Sequence, residues 1–513
     1  MTVRLVIILG VLATGLACWG VGGYTGAAAG LVIGVAVGAV RWRGAQPWAW
    51  LLRWLRRAQP IVLRAPLTVA NDRAGGGVRF QDGVAAVAVQ VLGKPHAATL
   101  FTGSTATHTD NTLDIADLLP LLHQSLGLAI DSISVVSVGA RRRSTGDYAR
   151  VYDTLIGTPP YAGRRATWLV VRVAALDNVE ALRWRASVGT AALAAAQRIG
   201  AALRRQGIRA KVATATDIVE MDRRLGSAAL DGAARRRWGS VRGDTGWLTT
   251  YRYRADDITA AKLAQAWTLR ADGIVQNVTV FGDGTVTATV TVQTAQPPVS
   301  PPSVLLHTLP GQQPAAIAGH LCGPRPALGG VGRGVLSGPL PVPVGPSGVL
   351  LGKSGAGNRL LLPLDDPGEP TRVHLAADDA VAKRILIRLV AIGDRLTVHT
   401  RDPRRWASVR MPDLVVSDRV RPVAGTTVSV TDGSLAPAPR PNTVITIGEP
   451  GAPGRAPADV LISQTGPGTV DVTAGGRVYP VQIELFRAEN RYVSAEPITP
   501  LTPPRIVELE PVE

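Results

Sequence analysis

The chain has 513 residues, 46% of them hydrophobic, which at roughly 150 residues per domain means two or three folding units and excludes a peptide or a disordered tail. Its 55 Lys+Arg against 38 Asp+Glu give a net charge of +17, a balance that raises nucleic acid or an anionic membrane as partner. Aromatic residues are only 4%, too few for base-stacking platforms, so no nucleic acid is expected; Cys18 and Cys322 have neither metal-ligand spacing nor a local mate, which excludes a disulfide framework and a cysteine zinc site.

From Leu5 to Val40 no residue is charged. As one helix those roughly 36 positions would measure about 54 Å against a hydrocarbon core of about 30 Å, so the segment is expected to fold back. Gly20-Val21-Gly22-Gly23 is the expected break, making residues 1–45 a two-helix transmembrane hairpin with spans near Leu5–Trp19 and Gly26–Val40. Gly26, Gly30, Gly34 and Gly38 recur every fourth residue, the small-residue spacing that lets transmembrane helices pack closely. A cleavable signal peptide fits less well, because a second uncharged span ending in arginines follows the first. Arg41, Arg43, Arg53, Arg56, Arg57 and Arg64 all precede the first acid, Asp72, and the positive-inside rule puts that cluster, and with it both termini, on the cytoplasmic side of a multi-pass inner-membrane protein. Trp42, Trp48, Trp50 and Trp54 lie among the arginines, so residues 46–77 read as a basic, Trp-rich interfacial helix and linker, with guanidiniums on anionic lipid headgroups; a packed core helix is the competing reading.

Residues 78–295 are expected to form a first cytosolic α/β lobe. Val87, Val89 and Val91 alternate as in a half-buried strand, Thr112–Leu126 reads as a helix, and Ile133–Val138 as a strand. Arg141–Arg143 and Arg235–Arg237 read as solvated loops or docking surfaces for headgroups or an acidic partner, and Trp168–Ala174 as an apolar strand interrupted by Arg172. A long helix is expected over Asn178–Gln206, opened by Asp177 and closed by Gly207, followed by the strand Ile208–Ala213. The strand Thr249–Tyr253, the helix Asp257–Leu269, and a hairpin of Val275–Phe281 with Thr285–Val292 around Gly282-Asp283-Gly284 complete the lobe.

Prolines 297, 298, 301 and 302 open a Pro/Gly-rich linker over 296–346 with one short helix. The second lobe, 347–425, carries a strand-helix-strand unit: Arg372–Leu375, Asp379–Ile392 closed by Gly393, and Arg395–His399, expected as a parallel crossover. Val381, Ile385, Leu389 and Ile392 make the apolar stripe of its helix and Lys383, Arg384 and Arg388 the wet side. Residues 426–513 read as loop-rich β structure, with short strands at Val428, Val444–Ile447, Val470–Val472 and Val478–Leu485, and a Pro-rich C-terminal tail, so the expected class is a membrane-anchored α/β (mixed α+β) protein with a two-lobed cytosolic domain.

Gly348-Val-Leu-Leu-Gly352-Lys353-Ser354 has three residues where a phosphate loop needs four, and Leu360-Leu-Leu-Pro363 follows as a strand where a helix should open. A Gly-rich hairpin turn is expected; the alternative is a membrane-anchored enzyme binding a nucleotide or sugar-phosphate at the Gly352–Asn358 loop. His374 and His399 could meet on adjacent strands, and Asp365-Asp366 and Asp378-Asp379 read as turn and helix caps. No catalytic constellation, cofactor site or metal site is expected.

The apolar hairpin with its Trp/Arg follow-on, Trp238-Gly-Ser-Val-Arg-Gly-Asp-Thr-Gly-Trp-Leu-Thr-Thr-Tyr251, Gly348-Val-Leu-Leu-Gly352 leading to Leu360-Leu-Leu-Pro-Leu364, and Leu389-Val-Ala-Ile-Gly393 leading to Val398-His-Thr-Arg401-Asp-Pro-Arg-Arg-Trp406, in that order, resemble the EccE subunit of the type VII (ESX) secretion system over residues 1 to about 415. The resemblance implies a non-catalytic structural subunit of an inner-membrane translocon, with two transmembrane helices and a cytosolic domain. Its implied partners are EccB, EccC, EccD and the mycosin protease. No active-site residue is implied.

Overall fold

The computed structural model describes residues 2–39, 50, 54, 61–71, 74–103, 105–231, 234–355, 357–452 and 457–493. The apolar N-terminal segment is helical from Thr2 to Ala39, interrupted where Gly22 (φ −129°, ψ 16°) and Gly23 (φ 58°, ψ −142°) leave helical geometry. Gly23 occupies the half of backbone space that a Cβ disfavours, so a glycine is required there. Among the described residues Ile8–Ala36 is the one stretch long and apolar enough to cross a membrane.

The chain clusters into two compact units, each assembled from non-contiguous segments: Met1–Gly93, Thr112–Gly139 and Ala166–Val344 in one, Lys94–Asn111, Ala140–Arg165 and Gly345–Glu513 in the other.

The first unit is built on a 12-stranded sheet whose main path runs, strand by neighbouring strand, 67–70, 75–81, 84–93, 164–174, 132–140, 273–281, 285–294, 247–252 and 241–242. Its longest hairpin pairs Ile274 with Val292 through to Val280 with Val286, and the turn is closed by Asp283, whose Oδ1 accepts from the Thr285 N–H. The strand Val84–Gly93 is buried along nearly its whole length, not half-buried as its alternation suggests, because the helix Val188–Arg205 packs on it through Ala192, Ala195, Ala196 and Ile199. That helix starts ten residues later than expected from Asn178: Ser187 and Thr190 form a capping box, and only Val179–Leu182 is helical before it. Thr112–Leu126 is likewise not an α-helix. Thr112–Asp114 pairs as a strand with Pro341–Pro343, and Ile115–Leu122 is a run of 3-10 turns around Pro120, which has no N–H for an α-helical bond. The helix expected at Asp257–Leu269 shortens to Ala260–Ala264 with a 3-10 turn to Thr268, capped by Thr259.

The second unit holds another 12-stranded sheet, ordered 414–417, 396–399, 428–431, 443–448, 371–376, 460–466, 469–474, 477–482, 349–354, 359–362, 99–102 and 106–109. From 414–417 through 460–466 the strands pair in parallel; from there on neighbours pair antiparallel, with 349–354 and 359–362 and then 99–102 and 106–109 added beyond 477–482. The strand-helix-strand unit is present, its two strands parallel but separated by 428–431 and 443–448. Short strands were expected at Val428 and Val444–Ile447; they are the two central strands of the six-stranded parallel part of the sheet, buried along Val428–Thr431 and Thr443–Ile445.

Helix Asp379–Ile392 is buried from Val381 to Ile392, so Lys383, Arg384 and Arg388 are not a wet side: they are 3%, 8% and 0% exposed. The helix Asp147–Ile156 and the C-terminal Asn490–Val493 turn cover the face the arginines occupy. The residues after Val493, where the Pro-rich tail was expected, lie outside the described residues.

Candidate functional site

The glycines singled out in the apolar segment are points of close approach within the chain. A Cβ on Gly26 would meet the Cys18 carbonyl, one on Gly30 would lie 2.7 Å from the Thr14 carbonyl oxygen, and one on Gly34 2.9 Å from the Val11 Cα. Real Cβ atoms essentially never sit that close to backbone, so only glycine permits this packing. Gly10 and Gly20 have nothing within 4 Å. Of Gly38 the structure describes the helical backbone only.

Of the expected interfacial residues, Arg41, Trp42, Arg43, Trp48, Arg53, Arg56 and Arg57 lie outside the described residues, while Trp50 and Trp54 are described. Trp50 stacks on Trp238, with ring centroids 5.7 Å apart and planes inclined by 27°. Trp238 is held in turn: its carbonyl accepts from the Gly311 N–H at 2.8 Å, and a Cβ on Gly311 would lie 2.7 Å from the indole, so the ring lies against a bare backbone.

The near-phosphate loop is a hairpin. Val349–Ser354 and Arg359–Leu362 pair antiparallel, with Ser354 donating to Asn358 and Gly357 to Ser354 across the turn. Gly352 lies in the strand, not in a positive-φ turn; it is required because a Cβ would run into the Gln482 carbonyl of the neighbouring strand. An open groove of about 470 Å³ beside the loop is lined by Phe101, Ile156, Thr158, Lys353 and Arg359 among others. Both cations are already engaged there: Lys353 Nζ is 3.5 Å and Arg359 Nε 3.0 Å from the Glu484 carboxylate.

In a parallel sheet ligands gather at the carboxyl ends of the strands, and here that edge carries the motif Val398–Trp406. Asp432 accepts from Thr400 Oγ1 at 2.6 Å and from the Ser434 N–H and hydroxyl, and these bonds hold its carboxyl below the usual range despite the opposing effect of burial. Arg405 forks onto Asp379 at 2.6–3.0 Å and lies over the Trp406 ring. Asp378 caps helix 379–392 by accepting from Val381 N–H. The carboxylates of Asp378, Asp379 and Asp432 are thus each occupied by an internal donor, which organises the loops of this edge. Sequence reasoning missed Thr400 and Asp432; the run of short β-branched strands ending in polar residues was the available signal. His374 and His399 do not meet: they share one row of the sheet with Thr446 and Thr431 between them, about 14 Å by strand spacing.

Buried charge is used to fasten segments. In the second unit Arg388 and Glu489, both 0% exposed, form a two-pronged pair at 2.7 and 2.8 Å. Burial pulls the Arg388 guanidinium down, yet its bonds to Glu489 raise it overall. Tyr148 donates to the same carboxylate, and its phenol is pushed far up by burial and by Glu489. Arg141, expected on a solvated loop, is fully buried on Asp153 at 2.8 Å and lies over Tyr161, while Arg143 pairs with Asp413 at 2.7 Å.

In the first unit Arg172 donates to the carbonyls of Gly319, Leu321 and Gly323, and burial pulls it down to about 10. Arg79 bridges Asp222 and the Cys322 carbonyl; burial raises the Asp222 carboxyl against the pull of Arg79. On that same tethered segment His320 Nε2 lies 2.6 Å from Thr291 Oγ1, and burial, then Arg172, lowers it to about 3, so the ring is neutral. The Cys322 thiol, pushed up to about 12 by burial, is inert as a nucleophile.

These features describe a helical segment long and apolar enough to cross a membrane and two internally fastened units, and the comparisons with known proteins supply the family. The family model for EccE, of the type VII ESX secretion system translocon, matches residues 161–253. The chain is 50% identical over 504 residues, 94% of each chain, to the ESX-2 secretion system protein EccE2 of Mycobacterium tuberculosis (strain CDC 1551 / Oshkosh). To the ESX-1 secretion system protein EccE1 of the same strain it is 27% identical over 386 residues, 71% of this chain and 75% of that one. To the ESX-5 secretion system protein EccE5 of Mycobacterium marinum (strain ATCC BAA-535 / M) it is 27% identical over 173 residues, 33% and 43% of the two chains. The chain belongs to the EccE family of type VII (ESX) secretion system components.

Proposed function

We propose that the chain is a non-catalytic structural subunit of an ESX-2-type secretion complex, anchored in the inner membrane by a helical hairpin that crosses twice and leaves both termini in the cytoplasm. The observation that carries the reading is the 50% identity over 94% of both chains to the ESX-2 protein EccE2. Two crossings are supported by the break at Gly22-Gly23 together with the approaches of Gly26 to Cys18, Gly30 to Thr14 and Gly34 to Val11, pairs too far apart in sequence to touch along one straight helix. Arg41, Arg43, Arg53, Arg56 and Arg57 then follow the second crossing on the cytoplasmic side, with Trp42, Trp48, Trp50 and Trp54 at headgroup depth. Binding energy of the subunit comes from apolar helix packing and anionic headgroups, and its protein partners are the core subunits EccB, EccC, EccD and the mycosin protease.

The test is detergent extraction of the tagged full chain with mass spectrometry of what accompanies it, beside a reporter fused after Glu513. Recovery with the core membrane subunits of one ESX system and a cytoplasmic reporter signal are expected. Recovery of the chain alone, or a periplasmic signal, overturns the reading.

A further inference from the structure

The turn around Trp238 combines three observations that none of the above uses. A bridge pairs Arg236 with Val241, and the N–H groups of Arg237 and Arg242 donate to the carbonyls of Ser240 and Arg235, so the turn is fixed in shape with Trp238 at its tip. Arg235, Arg237 and Arg242 are exposed on it, and among the described residues none of them is in an ion pair. Some exposed arginines elsewhere pair with acids, Arg183 with Glu180, Arg223 with Glu220 and Arg333 with Asp283 among them, while others such as Arg372 and Arg419 stand in no ion pair among the described residues; here three such cations share one short turn. The guanidinium carbons of Arg237 and Arg242 both lie by the Trp247 ring, at 4.7 and 5.8 Å from its centre, which gathers the two cations at one place on the turn. The tip is tied to the juxtamembrane chain by the Trp50 stack.

We propose that the Arg235–Arg242 turn is a second membrane contact, whose arginines bind the phosphates of anionic lipid headgroups while the Trp238–Trp50 stack keeps the turn at the bilayer surface. The inference rests on the anchoring reading above. Lipid phosphate is favoured over an acidic protein because the stack is continuous with the chain that leaves the anchor, and a planar guanidinium matches a phosphate with two parallel donors. Three arginines at about a fivefold surface preference each multiply to a preference on the order of a hundredfold for an anionic over a neutral bilayer.

The experiment uses the full chain with Cys18→Ala and Gly239→Cys, spin-labelled at position 239, where an added side chain meets no atom within 4 Å. The buried Cys322 thiol, pushed up to about 12, does not react with the label. In nanodiscs containing about 30 mol% phosphatidylglycerol the accessibility of the label to a water-soluble nickel relaxer is expected to fall at least about threefold relative to pure phosphatidylcholine. About 0.5 M salt, or the Arg235→Gln/Arg237→Gln/Arg242→Gln variant, is expected to restore it. Equal accessibility in the two bilayers overturns the proposal. So does protection that requires co-purified subunits and is absent in pure anionic lipid, which would assign the turn to an acidic protein. Resistance of the chain to carbonate extraction is measured alongside: retention with no lipid-dependent protection sinks only the second contact, whereas extraction of the wild-type chain sinks the anchor reading and this one with it.

Discussion

Glu489 is the residue through which buried charge in the second unit is made tolerable, and replacing it gives a sharp test. Arg388 Nε and Nη2 donate to its two oxygens at 2.7 and 2.8 Å, Tyr148 donates to one of them, and Arg384 lies 3.5 Å away. The remaining Arg388 donors go to the carbonyls of Leu350 and Glu484, so nothing else carrying negative charge neutralises a guanidinium with no solvent exposure. Glu489→Ala strands that charge and the Tyr148 hydroxyl, an expected loss of about 3–5 kcal/mol. Glu489→Gln keeps the shape and one acceptor and is expected to cost about 1.5–3 kcal/mol. Arg388→Met with Glu489→Leu removes both charges together and should recover most of the loss, because a hydrophobic pair needs no desolvation. The assay is hydrogen exchange of amides in 379–392 on the full chain in detergent, titrated with urea, which reads this unit alone where a single global transition would be ambiguous. A Glu489→Ala cost below about 1 kcal/mol, or a double variant worse than Glu489→Ala, would refute the reasoning.

Gly30→Leu or Gly34→Leu is expected to lower stability in detergent by about 1–3 kcal/mol without preventing insertion, since the Cβ positions lie 2.7 and 2.9 Å from backbone atoms; Gly10→Leu, with nothing within 4 Å, is the tolerated control, and equal melting temperatures for all three would remove the packing role. His320 gives a pH dependence. Its folded value of about 3 lies below the ordinary 6.5, so between those values the unfolded chain carries a proton that the folded chain does not. Stability from this group is therefore complete above about 6.5 and falls as pH drops towards 3, by about 1.4 kcal/mol per pH unit, and the wild-type slope should exceed that of His320→Asn in denaturant titrations of the first unit. At the near-phosphate loop, Gly352→Val should cost more than about 3 kcal/mol by pushing the Gln482 strand away, while Lys353→Ala, exposed beside Glu484, stays within about 0.5 kcal/mol; calorimetric binding of ATP or a nucleotide sugar lost in Lys353→Ala would promote the enzyme alternative.

Local rules carried a good part of this protein. A run without charge, interrupted by paired glycines, announces a helical apolar segment broken near Gly22 because those are constraints on neighbouring residues. The Gly282-Asp283-Gly284 hairpin, the helix 379–392 with Asp378 and Gly393 at its ends, and the turn after Ser354 follow from the same kind of short-range chemistry. The Val398–Trp406 stretch was legible as part of a family order, though its place at the carboxyl edge of parallel strands was not. What the linear pattern could not supply is the identity of distant partners. Arg141 and Arg388 look like water-facing residues, and Arg172 like an interruption of an apolar strand, until Asp153, Glu489 and the carbonyls of 319–323 are brought to them from 12, 101 and about 150 positions away. The same holds for the place of strands 428–431 and 443–448, legible as short strands, which become the centre of the parallel part of the sheet because strands 396–399 and 371–376 satisfy their backbone groups on either side. A cation or a short strand is neutral information in sequence; only the tertiary structure, by supplying the counter-charge or the neighbouring ladder, makes burial cheaper than solvation.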